Sequence, residues 1–287
     1  MIKKRTLCEL RRGRCQLLNL LVEDEIALCL SNGTLSPVRD AWRRRVRQNN
    51  GKIKLSGVVA GHIPYFYRDP EKIGQDFLEQ NNALYMIADM FRKAPTTVKF
   101  RCSHFGEILA SLYIQQVIGY KILIRKLSQT TAENTNVHKM DILCVNTNTK
   151  PYEYFWFEGK SSVSSKGAHR HGIYKQMRKS LENYRESDKL FDIVKVRDNL
   201  SSADFNDEER TKIRKDLSKP LDVQFHGIAV INISTICKED DDFLLSTSSS
   251  VKYDVRILAL HDLKKTAITA FGDAKKVADA AEAIVNV

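Results

Sequence analysis

Met140–Lys160, reading MDILCVNTNTKPYEYFWFEGK, decides the fold of this chain. Met140 to Val145 is a β-rich run, and Tyr152 to Phe157 is another. Between them, Asn146-Thr147-Asn148-Thr149-Lys150-Pro151 has the composition of a turn. With the turn centred near Asn148 to Lys150, antiparallel pairing sets Asp141 roughly opposite Glu158. Side chains alternate along a strand, so Glu158 and Lys160 share a face. Two carboxylates and an ammonium then converge at one end of an apolar hairpin.

That arrangement suits a divalent cation and phosphodiester chemistry. Carboxylate oxygens are hard ligands for Mg²⁺ or Mn²⁺. Asp141 and Glu158 are the candidate metal ligands, the Gly159 carbonyl a possible third, and Lys160 the cation that positions the nucleophile or stabilises the transition state. Gly159, without a side chain, permits close approach. The competing reading is a surface Glu–Lys pair at a strand end beside an unrelated Asp, because a bare Glu-x-Lys is common.

On the N-terminal side of the hairpin, Tyr120–Leu127 reads as a strand. Before it, Ser103 opens a predicted helix whose apolar residues Phe105, Ile108, Leu109, Leu112 and Val117 recur at three and four, with Gly119 as its stop. Glu107 in this helix has two open readings: a first-turn acid favoured by the helix dipole, or an additional acid beside the metal site. On the C-terminal side a small-residue loop leads to a helix over about 168–185. Its Lys175, Arg178 and Lys179 form a basic face, either for phosphate contact or as the solvated side of an ordinary amphipathic helix. Gln176 is within conceivable reach of the site, whereas His169 and His171 read as loop or first-turn residues. A charged helix around Asp207–Leu217, a strand over Val223–Ile233, a strand over Tyr253–Leu260 and a small-residue helix over Ala274–Val285 complete the pattern. The acidic run Glu239–Asp242 reads as a solvated loop. Helix, three strands, helix and strand, in that order from Ser103, predict an α/β fold. The first three strands form a meander, and a helical crossover adds the next.

Residues 1–95 read as a basic N-terminal region and 96–287 as the main domain. Arg11, Arg12 and Arg14 form one basic cluster and Trp42–Arg47 another, either a DNA-backbone contact or a solvated helix face. Gly57-Val58-Val59-Ala60-Gly61 reads as strand-like, and Asp69-Pro70 as the start of a helix running to Arg92.

The 287 residues are 43% hydrophobic and 28% charged, enough for a packed core, and the formal charge of +11 favours a polyanionic partner. Six scattered cysteines without a Cys-x-x-Cys pair fit buried thiols in a reducing compartment. No membrane span or signal peptide is evident, so a cytoplasmic location with no membrane partner is expected.

Phe105-Gly106-Glu107 on a helix, the strand ending in Lys126-Leu127, Asp141 and Glu158-Gly159-Lys160 together resemble the PD-(D/E)xK nuclease superfamily. More narrowly, Phe105–Leu127 and Phe155–Lys160 are similar to the nuclease subunit of the Hachiman anti-phage defence system, the HamA-like family. The resemblance spans roughly residues 84–233. It implies a restriction-endonuclease-like αβββαβ core, with a mixed sheet flanked by helices, and a Mg²⁺-dependent DNase (Mn²⁺ possible). Asp141 and Glu158 become metal ligands, Lys160 the catalytic lysine and Glu107 an auxiliary acid. It further implies a separate helicase-like ATPase subunit, HamB-like, that restrains the nuclease. Met140 stands where the superfamily's nominal proline precedes the Asp. The alternative function is a non-catalytic DNA-binding adaptor subunit with a nuclease-like fold.

Overall fold

The computed structural model describes residues 55–68, 91, 94–129, 141–164, 172–186, 196–197, 200, 204–235 and 254–285. The basic clusters before residue 55, the helix expected from Asp69, the acidic run at 239–242, His169 and His171 lie outside the described residues.

A five-stranded mixed sheet in the order β1-β2-β3-β4-β5 carries the fold. The strands are β1 (Lys121–Arg125), β2 (Ile142–Asn146), β3 (Glu153–Ser162), β4 (Val223–Asn232) and β5 (Asp254–Leu260). β1, β2 and β3 form an antiparallel meander. β4 runs parallel to β3, and β5 parallel to β4. The expected α/β class, meander and crossover are all present. Asn146 starts the β2–β3 turn by accepting the Asn148 N–H on its side-chain oxygen at 3.1 Å, the local bond that makes Asn a turn residue.

The helices are α1 (Leu55–Tyr67), α2 (Val98–Tyr113), α3 (Gly172–Glu186), α4 (Asp207–Asp216) and α5 (Leu263–Val285). Strand alternation divides the sheet's side chains into two cores. Ile142, Cys144, Phe155, Phe157, Ile228, Val230, Leu258 and Leu260 pack with α1, α2 and α5. Leu143, Val145, Tyr154 and Trp156 point the other way, onto Ile213 and Leu217 at the end of α4. Each fully buried large apolar side chain contributes roughly 1.5–3 kcal/mol, so this two-sided burial holds the helices against the sheet. α3 lies across β3 and β4. Cys102 and Cys144 are buried free thiols. No described helix is long and apolar enough to cross a membrane.

Three local expectations are corrected. Gly57–Gly61 is helix rather than strand: Leu55, Val58, Val59, Ile63, Phe66 and Tyr67 are buried at helical spacing. Their contact with α5 and α2 outweighs the roughly 1 kcal/mol that each helical glycine costs relative to alanine. α2 begins at Val98, not Ser103. α5 begins at Leu263, eleven residues before Ala274, because Asp262 caps it by accepting the Lys265 N–H at 2.8 Å. Gly119 does end the second helix, after a π-helical turn over Ile114–Ile118, in the left-handed conformation at φ 89°.

β1 carries a bulge. Lys121 and Ile122 pair with Val145 and Cys144, but Ile124 and Arg125 pair with Leu143 and Ile142, leaving Leu123 as an extra residue. A short 3-10 turn, Lys126–Gln129, follows directly.

Candidate active site

The hairpin register brings the predicted charges together. Ile142 pairs with Phe157, so one step outward Asp141 faces Glu158. Asp141 is 5% exposed and Glu158 2% exposed. β2 ends here, and the Asp141 side chain replaces its backbone: Oδ2 accepts the Gly159 N–H at 2.8 Å. A Cβ on Gly159 would stand 3.6 Å from that same oxygen. Lys160 Nζ donates to Glu158 Oε1 and lies 4.0 Å from Asp141 Oδ2. Glu158 Oε2 is buried with no hydrogen-bond partner among the described residues.

Two packing contacts explain why Glu158 is so enclosed and why Glu107 is close. Glu158 is in register with Gly227 on β4. Met177 of α3 fills the space above that glycine, its Sδ only 2.6 Å from where a Cβ would be. α2 approaches β3 through Gly106, where a Cβ would sit 2.6 Å from Ser161 Cβ. Ser161 Oγ donates to the Cys102 carbonyl at 3.3 Å across the same contact. The next residue, Glu107, lies within the electrostatic reach of Lys126, Asp141, Glu158 and Lys160. Because α2 starts at Val98 and has no acid in its first turn, the helix-dipole reading of Glu107 does not hold.

A buried carboxyl resists ionisation, because burial strips water from the charged form. Burial pushes Glu107 up to about 8, with Lys126 and Lys160 pulling down and Asp141 and Glu158 pushing up. Burial and the neighbouring Asp141 raise Glu158 to about 7, against the pull of Lys160 and, more weakly, the Ser180 hydroxyl.

One member of this cluster, Lys126, enters the sequence reading only as the end of a strand, with no role in the site. Lys126 Nζ donates to Asp141 Oδ1, with its side chain 14% exposed. Burial by itself lowers a lysine's pKa, but Asp141 and Glu107 outweigh it and hold Lys126 above the usual lysine range. The signal that finds Lys126 is its place one residue past β1, provided the bulge is counted.

The remaining candidates are carried on α3. Gln176 and Lys179 are exposed on α3. Lys175 and Arg178 belong to the same helix, and their side chains lie outside the described residues. Among the described residues, no three His, Cys, Asp or Glu side chains form a cluster that would hold a metal by themselves. The donor set at hand is two carboxylates, one with a buried unpartnered oxygen, plus backbone and water. Mg²⁺ keeps several waters and takes one or two carboxylates, so these residues fit it.

No curated protein matches the chain significantly. The HamA family model matches residues 47–272, which takes in the whole described sheet, α2, α3, α4 and every charged residue of the cluster. The chain therefore belongs to the HamA family, a component of Hachiman anti-phage defence.

Proposed function

We propose that this protein is the nuclease effector of its defence system, a Mg²⁺-dependent DNase that hydrolyses phosphodiester bonds. The observation that carries this reading is the convergence of Asp141, Glu158 and Lys160 at the end of β2, with Glu158 Oε2 buried and unpartnered. An unsatisfied buried carboxylate oxygen is costly, and a cation removes that cost.

Asp141 and Glu158 would hold the ion. The N–H and C=O of one strand residue point to the same side. The Gly159 N–H reaches Asp141, so its carbonyl also points to the flank where β2 has ended and is the candidate third ligand. Bound Mg²⁺ supplies a water of lowered pKa and neutralises charge on the phosphate. Lys160, 27% exposed at its side chain, is the cation best placed to meet a phosphate oxygen arriving from solvent. Glu107, within electrostatic reach of both carboxylates and both lysines, serves as the auxiliary acid. The net charge of +11 supports a polyanionic substrate. Membership of a defence family supports control by a separate helicase-like ATPase subunit.

The test is cleavage of linear, circular and single-stranded DNA by wild type, Glu158→Ala and Lys160→Ala, with Mg²⁺ or EDTA, alone and with the partner subunit. Metal-dependent cleavage lost in both folded variants is expected. Unchanged cleavage in both sinks the assignment. Salt-sensitive DNA binding without cleavage under any condition makes the chain an adaptor.

A further inference from the structure

Asp141 and Glu158 are two members of a row that continues across the sheet. Arg125 pairs with Ile142, so the next step of that register sets Lys126 opposite Asp141. Asp141 in turn faces Glu158, and Glu158 faces Gly227. Directly opposed residues share a face, and the contacts agree: Lys126 Nζ is on Asp141 Oδ1, and Lys160 Nζ is on Glu158 Oε1. The bulge at Leu123 makes this alignment. Continued without it, the Lys121–Val145 register would bring Arg125 opposite Asp141.

The four carboxylate oxygens of Asp141 and Glu158 are therefore in different states. Asp141 Oδ2 is taken by the Gly159 N–H, Asp141 Oδ1 by Lys126, and Glu158 Oε1 by Lys160. Glu158 Oε2 has no partner among the described residues. Lys160 is the more exposed lysine, at 27% against 14% for Lys126, so it can swing toward solvent and substrate. Lys126 opens a 3-10 turn and is the lysine less accessible to solvent.

We propose that Lys126 is an internal counter-cation that competes with divalent metal for Asp141 Oδ1 and so sets the metal concentration at which the site loads. The inference rests on the metal-dependent reading above. It makes Lys126 a positioning residue with a cost: it organises Asp141 in the absence of metal and opposes metal entry both by contact and by charge. Loading requires Nζ to leave Oδ1, and whatever draws Lys126 away, such as a phosphate of the substrate, promotes loading.

The experiment measures Mn²⁺ affinity of the full chain by electron paramagnetic resonance, without nucleic acid, for wild type, Lys126→Gln, Lys126→Arg and Asp141→Asn. Lys126→Gln is expected to bind Mn²⁺ at least tenfold more tightly than wild type. Lys126→Arg keeps the charge and is expected to bind no more tightly than wild type. Asp141→Asn is expected to lose the site. Lys126→Met, which keeps the aliphatic stem, replaces the glutamine variant if that does not fold. Unchanged or weaker binding in the neutral variants, with Asp141→Asn still losing the site, overturns the role of Lys126 and leaves the metal site standing. Equal Mn²⁺ binding by wild type and Asp141→Asn, or no binding by any variant, overturns the metal reading and the inference with it.

Discussion

Glu158→Gln is expected to stabilise the metal-free protein while removing its activity. The side chain is 2% exposed, and only one of its two oxygens has a hydrogen-bond partner among the described residues. Burial and Asp141 raise its pKa from an ordinary 4.5 to about 7. A tenfold change in proton affinity is about 1.4 kcal/mol, which bounds the cost of the buried charge at roughly 3 kcal/mol. That figure already includes the pull of Lys160; the amide oxygen of Gln can still accept from Lys160, but its NH₂ group brings a donor into the buried site. A net gain on the order of 2 kcal/mol remains, or roughly 3 °C in Tm for a chain of this size. The sign follows from linkage. A carboxyl whose folded pKa is raised holds its proton more tightly when folded, so ionisation carries no penalty below the unfolded pKa. The penalty grows as pH rises from there to about 7 and is complete above that. Thermal unfolding in EDTA at pH 8 and pH 4.5 measures it: the variant melts higher at pH 8, and the two proteins converge at pH 4.5. A variant that melts lower at pH 8, or a gain of equal size at both pH values, refutes the claim that a buried, under-partnered charge sits here.

Three further outcomes are expected. Gly106→Ala places a methyl 2.6 Å from Ser161 Cβ and costs about 1–3 kcal/mol in urea unfolding; adding Ser161→Gly recovers at least half of the loss, because it removes the atoms that collide. Glu209 ties α4 to β1 through Lys121 at 2.6 Å, and accepts the Asn206 N–H within a capping box. Burial works to raise its pKa, but Lys121 and Asn206 outweigh it and hold it below the ordinary value. Its contribution is therefore present above the unfolded pKa and fades as pH falls through the folded one. Glu209→Gln, which keeps the cap acceptor, is expected to lose about 0.5–1 kcal/mol at pH 7 after allowing for a Lys121 side chain that is 35% exposed, with the deficit shrinking toward pH 3. Millimolar Mg²⁺ is expected to raise the Tm of wild type by a few degrees, by preferential binding to the folded state, and to leave Asp141→Asn unmoved.

The elements most legible in sequence were those whose chemistry is local. The β2–β3 hairpin announced itself by an Asn-rich turn between two β-rich runs, and α4 by its charged run. Gly119 announced the end of α2, because a left-handed residue there needs glycine. α1 was misread because Val58-Val59 between two glycines has the local signature of a strand. Its helical character resides in longer spacing, Leu55 to Val59 to Ile63 to Tyr67, which is decided by the core it enters. The early start of α2 was missed for a similar reason. Thr97 is the N-cap and a residue type favoured there, but Ser103 carries the same signal five residues into the helix.

The site shows the same division. Asp141, Glu158 and Lys160 follow from counting along one hairpin, since its turn adds no irregularity to the strands it joins. Lys126 does not follow, because a bulge leaves no composition signature and shifts the count by one. That single residue has chemical weight. A straight β1 would present Arg125 to Asp141, and a guanidinium can grip a carboxylate with two parallel donors that an ammonium lacks. The bulge at Leu123 presents instead a point charge on a flexible stem, a partner that holds the carboxylate in place and can be displaced from it. Lys126→Arg is therefore expected to act opposite to Lys126→Gln. It puts a forked cation opposite Asp141, so Mn²⁺ binding should weaken where Lys126→Gln tightens it. If Lys126→Arg folds and binds Mn²⁺ as tightly as Lys126→Gln does, the cation on Asp141 has no part in controlling the site.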